Sequence, residues 1–226
     1  ILMHRPLIAA LLALAAAGAH AQGADPKIND QFVAPDVATW TQRFEGESRE
    51  IWNFRTEIVA ASGLKPGMVV ADVGAGTGMF VVLIARAVSP GGRVIANDIS
   101  KPFTDAIAKR AQAEGLSNVS TVAGTDTDTG LAPASVDLVF TSDVYHHFTK
   151  VPQVLASIRA ALRPGGRFIV VDFERIPGVT PPRMLEHVRA GKEVVTQEIL
   201  AAGFRLREEV RSIPLKENYF LVFEKP

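Results

Sequence analysis

Cysteine is absent from the 226 residues of this chain. The chain therefore forms no disulfide and offers no thiolate for nucleophilic catalysis or metal binding, nor a cysteine for lipid attachment. An excess of either charge is also missing, since lysine plus arginine and aspartate plus glutamate each number 24. Because no basic surplus attracts a phosphate backbone, we expect no nucleic-acid partner.

A membrane-spanning apolar run is missing from the N-terminus. The run at residues 7–17 is shorter than the roughly 20 residues that a membrane helix needs. It follows a short basic stretch and precedes Ala19-His20-Ala21, which is typical of a secretory signal peptide. A buried amphipathic helix would show a polar face, and the run has none. We therefore predict a signal peptide over residues 1–21, cleavage before Gln22, a periplasmic or secreted protein, and no stable membrane insertion after cleavage.

The remainder has the composition of about one globular domain, with 47% hydrophobic residues. Residues 22–47 are predicted as a polar linker followed by a helix, in which Trp40 and Phe44 recur at helical spacing. Together with Trp52 and Phe54, these aromatic residues form either a lid over a site or a helix packed on the edge of a sheet.

From residue 48 to residue 226, predicted strands and helices alternate. The strands fall within residues 64–74 and near residues 93–97, 119–122, 136–141, 167–172, 205–212 and 219–223. The helices fall near residues 51–59, 79–88, 103–114, 151–162 and 182–202. This order predicts an α/β, doubly wound, Rossmann-like fold: a mostly parallel seven-stranded sheet with helices on both faces. The last strand must be antiparallel, because the "IPLKEN" link before it is too short for a crossover helix.

The segment "VVADVGAGTGMF" at residues 69–80 carries glycines at alternate positions 74, 76 and 78. A dinucleotide fingerprint would need a third glycine where Met79 stands, and a phosphate-binding Walker loop would need a lysine after Gly78. The loop still allows close approach to the backbone and opens onto a helix N-terminus, which favours a carboxylate. Asp98, twenty residues later, can accept both hydroxyls of a ribose. The predicted ligand carries a ribose and a carboxylate but no phosphate.

Four segments in this order resemble the motifs of class I S-adenosylmethionine-dependent methyltransferases. They are "VVADVGAGTG", "VIANDIS", "SVDLVFTSDVYHHF" and "LRPGGRFIVVDF". The third is similar to the small-molecule branch typified by ubiquinone and menaquinone methyltransferases. The resemblance covers about residues 48–226. It implies S-adenosylmethionine as cofactor and methyl transfer to an oxygen, nitrogen or sulfur atom of a small molecule.

The resemblance also assigns the cofactor site. It implies that Asp72 anchors the glycine loop, that Gly74 and Gly76 lie under the methionine part, and that Asp98 holds the ribose. Many members have an aspartate after the third strand that contacts adenine; here "GTDTD" places a threonine at that position, followed by an aspartate. The predicted cofactor-binding residues are Asp72, Gly74, Ala75, Gly76, Gly78, Asp98, Ile99, Thr125 and Asp126.

The acceptor side is predicted at the ends of the fourth and fifth strands. Amino-group methyltransferases acting on adenine or glutamine carry an Asn-Pro-Pro-aromatic motif after the fourth strand, and this motif is absent here. The segment "DVYHHF" stands in its place, at the carboxyl end of the central strand. Ligands of open α/β sheets bind at this end of the strands. One of the two adjacent histidines is predicted as general base, with the aspartate before them orienting the imidazole or accepting a substrate hydroxyl. The predicted catalytic residues are Asp143, His146 and His147, and the predicted substrate residues are Tyr145, Asp172 and His187.

Asp143, Asp172 and a histidine are suitable metal ligands, but the full ligand pattern of catechol-type methyltransferases is absent, so we expect no metal. Two other interpretations stay open. One is an exported, non-catalytic S-adenosylmethionine- or nucleoside-binding protein, because the cofactor is made inside the cell and an unfolded exported chain does not carry it. The other is a nicotinamide oxidoreductase, which the glycine spacing disfavours.

Overall fold

A computed structural model describes residues 23–226 of the chain. The predicted signal peptide and its cleavage point before Gln22 lie outside the described residues. Within residues 23–226, no helix combines the length and the hydrophobicity that crossing a bilayer requires.

Seven strands form one sheet, as the sequence predicts. They are β1 (Val69–Val73), β2 (Arg93–Asp98), β3 (Val119–Ala123), β4 (Val136–Ser142), β5 (Leu162–Phe173), β6 (Arg205–Glu209) and β7 (Asn218–Glu224). Their spatial order is β3-β2-β1-β4-β5-β7-β6. The pairs from β3 to β5 are parallel, whereas β7 lies antiparallel between β5 and β6. The doubly wound sheet with an antiparallel last strand is therefore confirmed.

Within residues 23–226, eight α-helices surround the sheet. They are α1 (Val37–Phe44), α2 (Glu50–Asn53), α3 (Arg55–Ala61), α4 (Met79–Ala87), α5 (Lys101–Ala113), α6 (Val151–Ala161), α7 (Pro182–His187) and α8 (Lys192–Ala201). Neighbouring residues of one strand pack to opposite sides: Val70 joins a cluster with α3 and α4, whereas Ala71 joins a cluster with α6 and α8. The sheet is thus buried on both faces, which explains its continuous apolar strands.

Several predicted boundaries differ from the structure. The single helix expected near residues 182–202 is two helices, because Arg175 donates to the carbonyls of Leu185 and Val188 and turns the chain there. The helix expected near residues 51–59 is likewise split into α2 and α3. This break after α7 leaves His187 at the end of that helix.

The sheet order places a topological switch point between β1 and β4, since the chain leaves β1 in one direction and reaches β4 from the other. Ligands of open α/β sheets bind outside the carboxyl ends of the strands at such a point. The glycine loop follows β1, and the segment from Asp143 to His147 follows β4. The fold therefore brings both predicted motifs to one crevice.

Candidate active site

A cavity of about 1290 Å³ lies at this crevice. Pockets for one drug-sized ligand measure roughly 300–1,000 Å³, so the cavity is larger than that range. We call one wall the glycine-loop half, formed by Asp72, Gly74, Ala75, Gly76, Asp98, Ile99, Thr125 and Asp126. We call a second wall the histidine half, formed by Ser142, Asp143, His146, His147, Arg183 and His187.

The glycine loop is held by the end of β2. The amides of Gly74 and Ala75 donate to the Asn97 carbonyl at 2.8 and 2.9 Å. The Gly76 amide donates to Asp98 Oδ2 at 2.8 Å. These three amides therefore donate to the end of β2 and not to the Asp72 carboxyl. Asp72 instead lines the cavity beneath the loop.

Two glycines of the loop need their lack of a side chain. Gly74 has a φ of +75°, and a Cβ there would lie 2.4 Å from Val144 Cγ1. The loop after β1 therefore packs closely against the segment after β4 at this point. Gly78 has a φ of +82°, and its Cβ would lie 2.9 Å from Ile107 Cγ1. Gly78 precedes α4 and packs against α5, while its neighbours Thr77 and Met79 line the cavity.

Two buried carboxylates face the glycine-loop half. Burial, followed by the nearby Asp98 charge, raises the pKa of Asp72 to about 8. Burial also raises the pKa of Asp98, although the amides of Ser100, Gly76 and Ile99 oppose the shift. A ligand that brings hydroxyl or cationic groups next to these carboxyls compensates for their lost hydration.

The rim of the glycine-loop half mixes apolar and polar groups. Ile99 is 45% exposed, which gives an apolar surface beside Asp98. Thr125 and Asp126 also line the cavity, as predicted. The Thr125 hydroxyl accepts from the amides of Thr127 and Asp128, so it stabilises its own turn.

The histidine half is shaped by the turn after β4. Asp143 has a φ of +53°, a left-handed conformation that is uncommon outside glycine, and its amide donates to the Val171 carbonyl at 2.8 Å. A 3₁₀ helix then covers Tyr145–His147. This turn directs His146 toward β5, where its Nδ1 lies 2.7 Å from Asp172 Oδ1. Both side chains of this pair are buried.

The three described histidines meet in the cavity. His146 Nε2 lies 3.3 Å from His187 Nε2. The His147 ring centroid lies 4.3 Å from that of His146 and 5.2 Å from that of His187. His147 Nδ1 lies 3.1 Å from Asn29 Oδ1, while Asn29 Nδ2 donates to the His147 carbonyl. The arrangement is a fixed cluster of imidazoles and not three independent side chains.

Charges in this half are set by burial and by neighbouring groups. Burial opposes ionisation of Asp172, but the His146 charge, its hydrogen bond and two backbone amides lower the pKa of Asp172 on balance. Burial, followed by the charges of His146 and His187, lowers the pKa of His147 to about 3. Burial also lowers the pKa of His187. Asp172 is therefore ionised beside His146, and His147 is neutral near pH 7.

Three predicted residues have other roles. Tyr145 is buried, donates from its hydroxyl to Glu198 and does not line the cavity, so its assignment to the substrate is wrong. Asp172 does not line the cavity either, and its carboxylate contacts His146, which does. Asp143 lines the cavity but does not orient an imidazole. Its carboxylate pairs with Arg49, and burial raises its pKa to about 6 despite that partner.

Several residues of the site had no sequence signal. Arg49 bridges Asp143 to two rings, with its guanidinium carbon 5.5 Å from the Phe44 centroid and 5.7 Å from that of Phe173. Ser142 Oγ is buried on the cavity wall and has no hydrogen-bond partner within residues 23–226. A buried polar atom of this kind normally has a hydrogen-bond partner, so a group of a bound ligand can hydrogen-bond to it. Asn29 likewise belongs to the site through its bonds to His147.

The segment before residue 50 covers the cavity. Trp40 and Phe44 line it, and their ring centroids lie 5.0 Å apart. Glu45 accepts from Thr77 at 2.8 Å and thereby ties this segment to the glycine loop. Trp52 and Phe54 instead pack against the core cluster beside α3 and α4. Two of the four aromatic residues therefore line the cavity, and the other two belong to the core.

Residues 71–170 match a family model described as a methyltransferase domain. Nocamycin O-methyltransferase of Saccharothrix syringae is 34% identical over 127 residues, which cover 56% of this chain and 43% of that protein. Demethylmenaquinone methyltransferase of Symbiobacterium thermophilum is 32% identical over 144 residues, covering 63% of this chain and 57% of that protein. The chain thus spans about half the length of the curated relatives it matches.

A solved structure shows the same fold. It is a SAM-dependent methyltransferase from Aquifex aeolicus, with a TM-score of 0.73, 22% identity, and coverage of 85% of this chain and 100% of that one. The matched residues 71–170 contain the glycine loop, Asp98 and the paired histidines after β4. Residues 71–170 thus match a methyltransferase domain, and the chain has the Rossmann-like fold of a solved S-adenosylmethionine-dependent methyltransferase.

Proposed function

We propose that this chain transfers the methyl group of S-adenosylmethionine to an oxygen, nitrogen or sulfur atom of a small molecule. One observation carries the proposal: the glycine loop and His146, which is paired with the buried Asp172, line a single cavity. The two walls follow β1 and β4, which are adjacent strands. Donor and acceptor held on these walls meet between them.

The donor occupies the glycine-loop half. Asp98 accepts the ribose hydroxyls, and the backbone at Gly74 and Gly76 lies under the methionine part. The donor carries a sulfonium and an ammonium group, so its positive charge complements the buried carboxyl of Asp72. Ile99 supplies apolar contact at the rim.

The acceptor occupies the histidine half. A lone pair of its oxygen, nitrogen or sulfur attacks the methyl carbon from the side opposite the sulfonium sulfur; the carbon–sulfur bond breaks and its electron pair stays on sulfur. Alignment of the two reactants contributes several kcal/mol to the rate.

In the metal-free protein the acceptor proton passes to His146. The Asp172 oxygens can only accept, so the neutral imidazole carries its proton on Nδ1 and leaves Nε2 unprotonated, 3.3 Å from His187 Nε2. His147 is oriented by the neutral amide of Asn29 instead of a carboxylate. This difference narrows the predicted base from two histidines to His146, with Asp172 as its positioning residue.

The test compares ligands and then asks for turnover. Thermal unfolding of the full chain is measured with S-adenosylmethionine, S-adenosylhomocysteine and NAD. We expect the first two to raise Tm and NAD to leave it unchanged. The chain is then incubated with methyl-labelled donor and small molecules extracted from cells, and label is expected in the small-molecule fraction.

The other outcomes separate the alternatives. A rise of Tm with the donor but no transferred label supports a non-catalytic binding protein. A rise of Tm with NAD alone supports an oxidoreductase and contradicts the proposal. Asp105→Ala is the matched control for variants of buried aspartates, because Asp105 is an exposed carboxylate paired only with Lys101 on α5.

We also propose that the protein works outside the cytoplasm, after removal of residues 1–21. The support is the apolar run followed by Ala19-His20-Ala21. Mass spectrometry of the protein from an envelope fraction is expected to find Gln22 as the first residue. A chain that still begins at Met3 in that fraction contradicts the proposed export signal.

A further inference from the structure

The cluster of His146, His147 and His187 has the geometry of a metal site. Each histidine offers a ring nitrogen, and these nitrogens all lie within 4.8 Å of one another. His146 Nε2 and His187 Nε2 are 3.3 Å apart. In a tetrahedral zinc site with Zn–N bonds of about 2.0–2.1 Å, two nitrogen ligands lie about 3.3–3.4 Å apart. The observed separation therefore fits two ligands on one ion, and it also fits a hydrogen bond between the two rings.

The hydrogen bonds around the cluster also suit metal binding. Asp172 Oδ1 accepts from His146 Nδ1, and Asn29 Oδ1 accepts from His147 Nδ1. Both oxygens can only accept, so both rings carry a proton on Nδ1 and leave Nε2 unprotonated when neutral. Metal-binding histidines almost always donate their other ring N–H to a carboxylate, a carbonyl or water, which fixes the ring. Two of the three imidazoles thus already have the partners of a metal ligand.

The position of the cluster leaves room for another ligand. All three histidines line the cavity of about 1290 Å³, which the glycine loop also lines. Catalytic zinc sites use three protein ligands and keep the fourth position for water or substrate. Asp143 is engaged with Arg49 and Asn218, so it does not complete the set. The open position therefore points to the cavity and its contents.

We propose that His146, His147 and His187 bind one divalent zinc-class metal ion, whose fourth position takes the hydroxyl or thiol of the methyl acceptor. Imidazole suits zinc, which prefers four-coordinate sites. The identity of the fourth ligand rests on the proposed function, whereas the metal site itself does not.

The metal changes how the acceptor loses its proton. With the ion bound, His146 Nε2 is a ligand and no longer available as base. The ion lowers the pKa of the bound hydroxyl or thiol, whose proton passes to solvent. The resulting oxygen or sulfur anion attacks the methyl carbon, the carbon–sulfur bond of the donor breaks, and neutral S-adenosylhomocysteine leaves. The metal thus selects alcohols, phenols or thiols over amines as acceptors.

The test measures metal binding directly. Untagged full chain, dialysed against a chelator, is titrated with ZnCl₂ by calorimetry and with CoCl₂ by visible absorption. We expect one equivalent of zinc and the intense absorption of tetrahedral cobalt. His187→Ala is expected to lower zinc affinity by more than about 100-fold, and Asp172→Asn by about 10- to 100-fold. Asp126→Ala, a carboxylate on the other wall of the same cavity, is expected to leave zinc affinity unchanged.

Other results would overturn the site. Equal zinc affinity in wild type and His187→Ala, or no tetrahedral cobalt spectrum in wild type, means that the cluster is a hydrogen-bonded histidine network without metal. His187 is only half-buried on α7, so its variant is expected to fold, and a thermal melt checks this. Affinity for S-adenosylmethionine is measured in the same samples. If zinc binds but S-adenosylmethionine does not, the proposed function is contradicted and the metal site is not. If methyl transfer runs at full rate in the presence of chelator, the role of the metal is contradicted and the proposed function is not.

Discussion

The two walls of the cavity are built in different ways. The glycine-loop half depends on backbone groups: amides of Gly74, Ala75 and Gly76 meet the end of β2, and the carboxyl of Asp98 completes the arrangement. The histidine half depends on side chains from segments far apart in the chain, since His146 meets Asp172, and His147 meets Asn29, 118 residues away. Backbone loops are encoded locally, whereas side-chain clusters exist only once the fold has assembled.

The difference has a functional meaning. A wall made of backbone tolerates changes in most side chains and suits a ligand that does not vary, such as a methyl donor. A wall made of side chains can be altered one residue at a time, which suits acceptors that differ between related enzymes. We therefore expect substitutions to separate cleanly into those that affect the donor and those that affect turnover.

The largest expected effect lies in the histidine half. His146→Ala is expected to lower kcat by about 10²–10⁴. The variant lacks the base that removes the acceptor's proton or, with zinc bound, a ligand of the ion that lowers the acceptor's pKa. Donor affinity should stay within about two-fold of wild type. Steady-state kinetics with an identified acceptor and calorimetry with the donor measure the two quantities. Loss of donor binding in this variant would assign His146 to the cofactor site and remove the distinction between the walls.

A smaller effect is expected where the two walls touch. Gly74→Ala places a Cβ against Val144 at a φ of +75°, whereas Gly115→Ala meets a similar φ of +68° with no atom within 4 Å. Left-handed backbone alone costs about 1–2 kcal/mol for alanine. We expect Gly115→Ala to lose about that much free energy of unfolding and Gly74→Ala to lose clearly more, with weaker donor binding. Equal losses in urea unfolding would show that the loop shifts freely away from Val144.

A pH dependence is also expected in the glycine-loop half. The pKa of Asp72 is raised from 3.8 to about 8 in the folded protein, so the folded state holds a proton that the unfolded state has released between these pH values. This group therefore makes the free energy of unfolding fall as pH rises through that window, by at most about 1.4 kcal/mol per pH unit. Asp72→Asn is expected to remove this contribution and to stabilise the protein at pH 8. If the free energy of unfolding falls with pH just as steeply in the variant, a group other than Asp72 causes the dependence.

The comparison of the walls also explains what could be predicted from the sequence. The sheet, its antiparallel end and the glycine loop follow from local patterns, since each strand and turn is short and contiguous. The histidine half follows only in part. Tyr145 and His146 are neighbours, yet the 3₁₀ helix turns Tyr145 toward Glu198 in the core and His146 toward the cavity. No periodic pattern in the sequence predicts that turn.

Partner assignments failed for the same reason. Asp143 is three residues from His146 and was the natural candidate to orient it, but Arg49 and Asn218 engage its carboxylate. Asp172 takes the orienting role from the adjacent strand β5, because parallel pairing places the ends of β4 and β5 side by side. Contacts of this kind depend on register between distant segments, which neither composition nor spacing specifies.

The central claim is that donor binding and acceptor chemistry belong to separate walls. The direct measurement is the calorimetric affinity for S-adenosylmethionine of Asp98→Ala and His187→Ala, side by side with Asp105→Ala as control. Hydrogen bonds to a charged group contribute about 1.5–3 kcal/mol each, and water replaces part of the loss. The account therefore predicts a 10- to 100-fold weaker affinity for Asp98→Ala and wild-type affinity, within about two-fold, for His187→Ala. A strong loss in His187→Ala with little change in Asp98→Ala would contradict it.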